Sequence, residues 1–161
     1  MSRAFVKEGQ ESSAAELPDR LVSPHPNYVT IEGLEQIETE VARLSEAYAA
    51  AQSSADRDAL AVIARDLRYW TARRTSAELV HPAKGTGVAR FGSTVSLTMS
   101  KPDGAHERKS QTFRIVGEDE AEPSHGTLSY VSPMARALMG KSAGDTVRLP
   151  AGGEVKLIAI E

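Results

Sequence analysis

The chain of 161 residues contains no cysteine, which excludes a disulfide framework and thiol chemistry and is consistent with a reducing compartment. It also lacks an excess of one charge. The formal net charge is −3 with both signs interspersed, which is not the basic footprint of an autonomous DNA-binding domain. No run approaches the roughly 20 apolar residues of a membrane span. The start, MSRAFVKEGQESS, has no apolar stretch of the about 7–15 residues that a signal peptide needs. A soluble cytoplasmic protein without membrane contact is therefore expected. The four histidines, His25, His81, His106 and His125, are scattered through expected loops, so their spacing supports no zinc site. With 40% hydrophobic content, the chain can bury one modest core and carry one appendage.

Composition changes along the chain. Residues 1–28 include GQESSAAELPDRLVSPHPN, rich in Glu, Ser and Pro and poor in large apolar groups. Such a segment buries too little surface to offset its ordering entropy, so a flexible extension is expected. Within it, VSPHPNYV could dock locally in an extended form.

Residues 29–80 read as an antiparallel helical hairpin. Thr30 is an acceptable N-cap, and Leu34, Ile37, Val41, Leu44 and Tyr48 follow at alternating spacings of three and four, one narrow stripe on a helix. Leu60, Ile63, Leu67 and Trp70 repeat the spacing, and QSSADRD between the runs is a polar break with Asp56 placed to cap the second arm. Arms of about 20 residues would project roughly 30 Å. Half of a small bundle or a dimerisation element would read the same way.

A linker, HPAKGTG at 81–87, leads into a third segment, 88–161, with the texture of strands and turns. Val95, Leu97 and Met99 alternate with polar residues, as do Phe113 and Ile115, which predicts half-buried antiparallel strands. KPDG at 101–104 predicts a turn. DTVRLPAGGEVKLIAIE adds two strands around a Pro-Ala-Gly-Gly turn. Between them stands VSPMARALMGKSAGD at 131–145. Ser132 suits an N-cap, Pro133 the first helical position, and Gly140 the left-handed stop. The expected class is α+β: a helical hairpin, then an antiparallel sheet with one short helix. A helix of barely two turns cannot persist on propensity, so part of it must lie on the sheet. The remaining apolar surface, with Met134 beside Pro133, suits contact with a partner.

The order FGS, TFRIVGEDEAE, GTLSYVSPMARALMGKSAGDTVRL resembles the C-terminal domain of the bacterial Gre-type transcript cleavage factors (GreA/GreB), which is similar to the FK506-binding-protein fold. LRYWTARRTSAELV extends the resemblance into the returning arm of the hairpin, whereas residues 1–28 have no counterpart in the standard factors. The resemblance implies a non-enzymatic elongation factor that docks on the rim of the RNA polymerase secondary channel, gripping a coiled coil of the largest subunit. By it, the docking motif falls on Ser132, Pro133, Met134, Ala135 and Arg136. It also implies a hairpin that enters the channel, where acids at its tip help hold a magnesium ion of the polymerase so that backtracked RNA is hydrolysed. This chain has no Glu-Asn pair at that place, and Asp56 and Asp58 are the only carboxylates at the expected turn. They could share the polymerase's magnesium; as structural residues they would be a cap and a first-turn acid. No cofactor of the chain's own is expected, nucleic acid would be met only through the elongation complex, and a monomer is expected.

Three further readings stay open at this level. One is a channel-binding regulator without cleavage stimulation. Another is a prolyl isomerase, suggested by fold analogy alone and weakened by the few aromatics of the third segment, Phe91, Phe113 and Tyr130. The last is a homodimer held by the hairpin. The acidic run Glu118, Asp119, Glu120 and Glu122 is read as a solvated loop, and Arg65, Arg68, Arg73 and Arg74 as the solvated face of a coiled coil.

Overall fold

The computed structural model describes residues 17–82, 85–100 and 110–161. The expected KPDG turn, residues 1–16 of the expected extension, and two residues of the linker lie outside these. Among the described residues no helix is long and apolar enough to cross a membrane.

A two-residue strand β1 (Tyr28–Val29) leads into helix α1 (Ile31–Ser53), and helix α2 (Arg57–Ser76) returns to strand β2 (Glu78–Leu79). β1 and β2 pair in parallel and close the base of the hairpin, with the Glu78 amide donating to the Asn27 carbonyl at 2.8 Å. α1 begins where Thr30 can cap it: the Thr30 hydroxyl accepts from the Gly33 amide at 3.0 Å. The apolar stripe then does what its spacing predicts, with Ile37, Val41 and Leu44 buried between the arms. The returning arm is less enclosed. Leu60, Ile63, Leu67 and Trp70 are only half-buried, and the one fully buried residue of α2 is an arginine, Arg73.

The second body is a five-stranded sheet of β3 (Thr94–Ser100), β4 (Ser110–Val116), β5 (Thr127–Ser129), β6 (Thr146–Arg148) and β7 (Glu154–Ile160), in the order β5-β4-β3-β7-β6. Helix α3 (Pro133–Leu138) packs on one face. Val95, Leu97, Ile115, Val155 and Leu157 point to that face and are buried with Ala135 and Leu138 of α3. The expected wholly antiparallel sheet is corrected in one place: β5 runs parallel to β4. Residues 117–126 leave the end of β4, pass through a 3-10 turn at Pro123–His125 and come back beside Arg114, so that β5 pairs with the last three residues of β4 in parallel, a crossover no hairpin turn could make.

That crossover also joins the two bodies, so of the acidic run only Glu122 is the solvated residue expected, while Glu118, Asp119 and Glu120 are half-buried. Glu120 is bound three times: by the Thr30 amide at 3.0 Å, the Thr30 hydroxyl at 2.5 Å and the Gly117 amide at 2.9 Å. Asp119 accepts from the Tyr69 hydroxyl at 2.5 Å and from Arg73 Nε, with Glu118 3.7 Å from the same guanidinium. The Arg73 side chain is 2% exposed and that of Asp119 12%, so each charge needs the other. Outside this latch, Arg114 of β4 pairs with Glu32 of α1 at 3.3 Å. Residues 17–28, expected to be flexible, lie against both bodies; their contacts are polar and aromatic, which a count of large apolar residues does not register.

Candidate functional site

The turn around α3 has the local design its residues dictate. The Ser132 hydroxyl accepts from the Ala135 amide at 3.2 Å, Pro133 occupies the first helical position, and Gly140 has φ of 82°. Beyond the helix, Gly140 donates to the Ala89 carbonyl and Ala89 to the Lys141 carbonyl, both at 2.8 Å. A six-residue helix is thereby pinned at both ends. Its five singled-out residues divide by exposure. Pro133 and Arg136 are exposed, Ser132 and Met134 are half-buried, and Ala135 is fully buried against the sheet. The side chain of Ala135 therefore cannot touch a partner; it lets the helix approach the sheet closely while Pro133 and Arg136 face outward. What the turn offers is a rigid, mostly apolar knob with one cation.

The hairpin tip is compact. Ser54, Ala55 and Asp56 make the turn, with Ala55 at φ of 54°, a left-handed conformation unusual for alanine. Asp56 Oδ1 accepts from the Ala59 amide at 3.0 Å and caps α2. Asp58 lies in the first turn of α2 and both acids are exposed. Among the described residues no group of three or more His, Cys, Asp or Glu could hold a metal ion. What the tip could lend to a magnesium held elsewhere is Asp56 Oδ2 and the Asp58 carboxylate, one oxygen having been taken by the cap.

The arginines of α2 are mostly engaged within the chain. Arg65 pairs with Asp66 at 2.9 Å, Arg68 with Asp19 at 2.7 Å, and Arg73 belongs to the latch. α1 carries five glutamates against one arginine, whereas α2 carries five arginines against two aspartates. The arms thus attract each other. One face of α2, bordered by Tyr48 of α1, leaves an open groove of about 820 Å³ lined by Ala64, Leu67, Thr71 and Ala72 among others.

Sequence reasoning passed over Asp119, Glu120 and Arg73 as a unit. One signal was available: an arginine one turn beyond Trp70, beside the apolar stripe, needs a carboxylate partner. Tyr69 shares that environment. Burial, and then its bond to Asp119, push its phenol up to about 12. Burial, with the nearby Glu118 charge, raises Tyr130 as well.

Known proteins resemble the sheet domain. Residues 84–161 match the family model described as "Transcription elongation factor, GreA/GreB, C-term". A protein named Transcription elongation factor GreA from Cereibacter sphaeroides is 34% identical over 105 residues, 65% of this chain and 64% of that protein. One of the same name from Paracoccus denitrificans is 42% identical over 80 residues, 48% of each chain. Another from Anaeromyxobacter sp. is 44% identical over 89 residues, 53% of this chain and 49% of that one. The chain thus spans less than two thirds of the length of these curated relatives. Among solved structures, the GreA factor homolog 1 (Gfh1) protein of Thermus thermophilus is 24% identical, with 85% of this chain and 99% of that chain covered and a TM-score of 0.39. Residues 84–161, which carry α3 and the five-stranded sheet, are thus similar to the C-terminal part of the GreA/GreB transcription elongation factors.

Proposed function

We propose that this chain binds RNA polymerase through the turn around α3 and regulates transcription elongation from the secondary channel, with the hairpin as the part that enters. The observation that carries the reading is the α3 turn itself, a pinned knob with Pro133 and Arg136 exposed, within the domain that matches the GreA/GreB C-terminal model. Ser132, Pro133, Met134 and Arg136 form the contact, and Ala135 supports it from beneath. The reading takes the chain as a cytoplasmic monomer that meets nucleic acid only through the elongation complex. It supplies no reacting group of its own. Any hydrolysis of RNA belongs to the polymerase. Pro133→Asp is the test, because an acid at the first helical position suits the helix dipole and leaves the fold intact. Retention of core polymerase in a pull-down should fall at least about tenfold, the effect of about 1.4 kcal/mol. Undiminished retention would remove this turn from the interface.

The tip favours a regulator that binds without stimulating cleavage. Asp56 is committed to the cap by Oδ1, and Asp58 is the one other acid of the turn. A magnesium shared with the polymerase would have to be met by these two residues alone. Added to a backtracked elongation complex, the protein should leave the RNA length unchanged. Shortened RNA that Asp56→Ala with Asp58→Ala abolishes would reverse this and make the chain a cleavage factor.

A further inference from the structure

The segment 17–29 lies before the matched residues 84–161, yet it touches both bodies of the protein. Against α2, Asp19 Oδ1 accepts from Arg68 Nε at 2.7 Å. The Arg20 guanidinium lies 3.9 Å from the Tyr69 ring centroid and 3.7 Å from Asp66. Further along, Asn27 Nδ2 donates to the Arg73 carbonyl at 2.7 Å and to the Ser76 hydroxyl at 3.2 Å. Against the sheet domain, the Pro26 carbonyl accepts from the Tyr130 hydroxyl. The Tyr28 ring sits 5.3 Å from that of Tyr130 and 6.0 Å from that of Phe91, while the Gly117 Cα approaches the Tyr28 carbonyl so closely that a Cβ there would stand 2.5 Å from it.

We propose that residues 17–29 are a strap that fixes the direction of the hairpin relative to the sheet domain. A tail that merely packed on the surface would bury its apolar side chains. Here Leu21 is 95% exposed and Val22 47%; Val29, in β1, is buried at 2%, but so is the polar Asn27, at 4%. The strap and the latch also converge on one residue: Asn27 holds the backbone of Arg73, and the guanidinium of Arg73 holds Asp119 in the β4–β5 crossover. Two bodies joined by a modest interface move relative to each other by default. Bonds from one segment to both remove that freedom. The strap stands whether or not the chain meets the polymerase.

The absence of cysteine makes the test direct, since Ser53→Cys on α1 and Lys156→Cys on β7, both exposed, accept a pair of spin labels. The full chain should give one narrow distance distribution. Arg20→Ala with Tyr130→Phe removes the strap's guanidinium contact with Tyr69 and Asp66 on α2 and its hydrogen bond from the sheet domain, without substituting Arg73, Asp119 or Glu120. The distribution should become at least about twofold wider, with far-UV circular dichroism unchanged. Hydrogen exchange at the Gly117 amide, bonded to Glu120 and lying against the strap at Tyr28, should accelerate. Parent-like width and exchange in the folded variant would overturn the strap. Should the double variant not fold, Tyr130→Phe alone, whose lost bond lies at the surface, is judged by the same two readouts.

Discussion

Gly33 is a helical glycine that propensity alone would replace, since alanine is better by about 1 kcal/mol in a helix interior. The junction reverses that sign. A Cβ at Gly33 would stand 2.5 Å from the carboxylate of Glu120. That carboxylate cannot swing aside at little cost, because three donors hold it. Gly33→Ala should therefore destabilise the protein by about 1–3 kcal/mol, the value of one or two charge-assisted hydrogen bonds less the propensity gain. A higher denaturation midpoint would show that the crossover yields. Tyr69 gives a second residue-scale expectation. Its folded phenol is raised from 10.0 to about 12, so between those values the folded state holds a proton that the unfolded state has lost. Its contribution is complete below pH 10 and disappears as pH rises through 12. Tyr69 should gain phenolate absorbance only near pH 12, and Tyr69→Phe should remove that phase and flatten the fall of the melting temperature above pH 10.

Under the proposed reading, α3 separates folding from recognition within one short element. Leu138 faces the core and is fully buried. Leu138→Ala should cost about 2–5 kcal/mol through lost burial and a cavity, whereas Pro133→Asp on the outward side should shift the chemical-denaturation midpoint little. If both lowered it equally, the outward side would be part of the fold and no surface for a partner. The caps of this element, and those of α1 and α2, were legible in the sequence because they depend on residues three apart: Thr30 with Gly33, Asp56 with Ala59, Ser132 with Ala135. The alternation of Val95 and Leu97 was legible for the same reason, since a strand's period is local. The β4–β5 pairing was not, because a run of polar residues between strands does not say in which direction the chain returns. The latch was hidden more deeply. Arg73 and Asp119 are 46 residues apart, and each looks like an ordinary surface charge in its own neighbourhood. At the candidate site, the position of the α3 turn was readable from its motif, but the burial of Ala135 needed the sheet to be in place.

The molecule as a whole depends on the latch because its hairpin is poorly enclosed. α1 buries Ile37, Val41 and Leu44, but the apolar residues of α2 are half-exposed and Arg73 is its only fully buried side chain. Two helices with one thin apolar seam do not sustain themselves in water, since most helical stability comes from tertiary packing. The hairpin therefore borrows stability from the sheet domain through Arg73, Asp119 and Glu120. In the intact protein both bodies should unfold together. The single tryptophan, Trp70 on α2, reports the hairpin by fluorescence, and the amides of Leu97 and Ile115, at the core of the sheet, report the other body by hydrogen exchange along the same denaturant series. The two transitions should coincide, the mark of a single cooperative unit. Asp119→Ala removes one partner of a buried pair, a change worth about 3–5 kcal/mol that falls almost entirely on the hairpin. The Trp70 transition should then move to lower denaturant and precede that of the sheet. Coincident transitions in the variant would mean that the arms are held by their own seam and by the pairing of β1 with β2, leaving the latch to set direction alone.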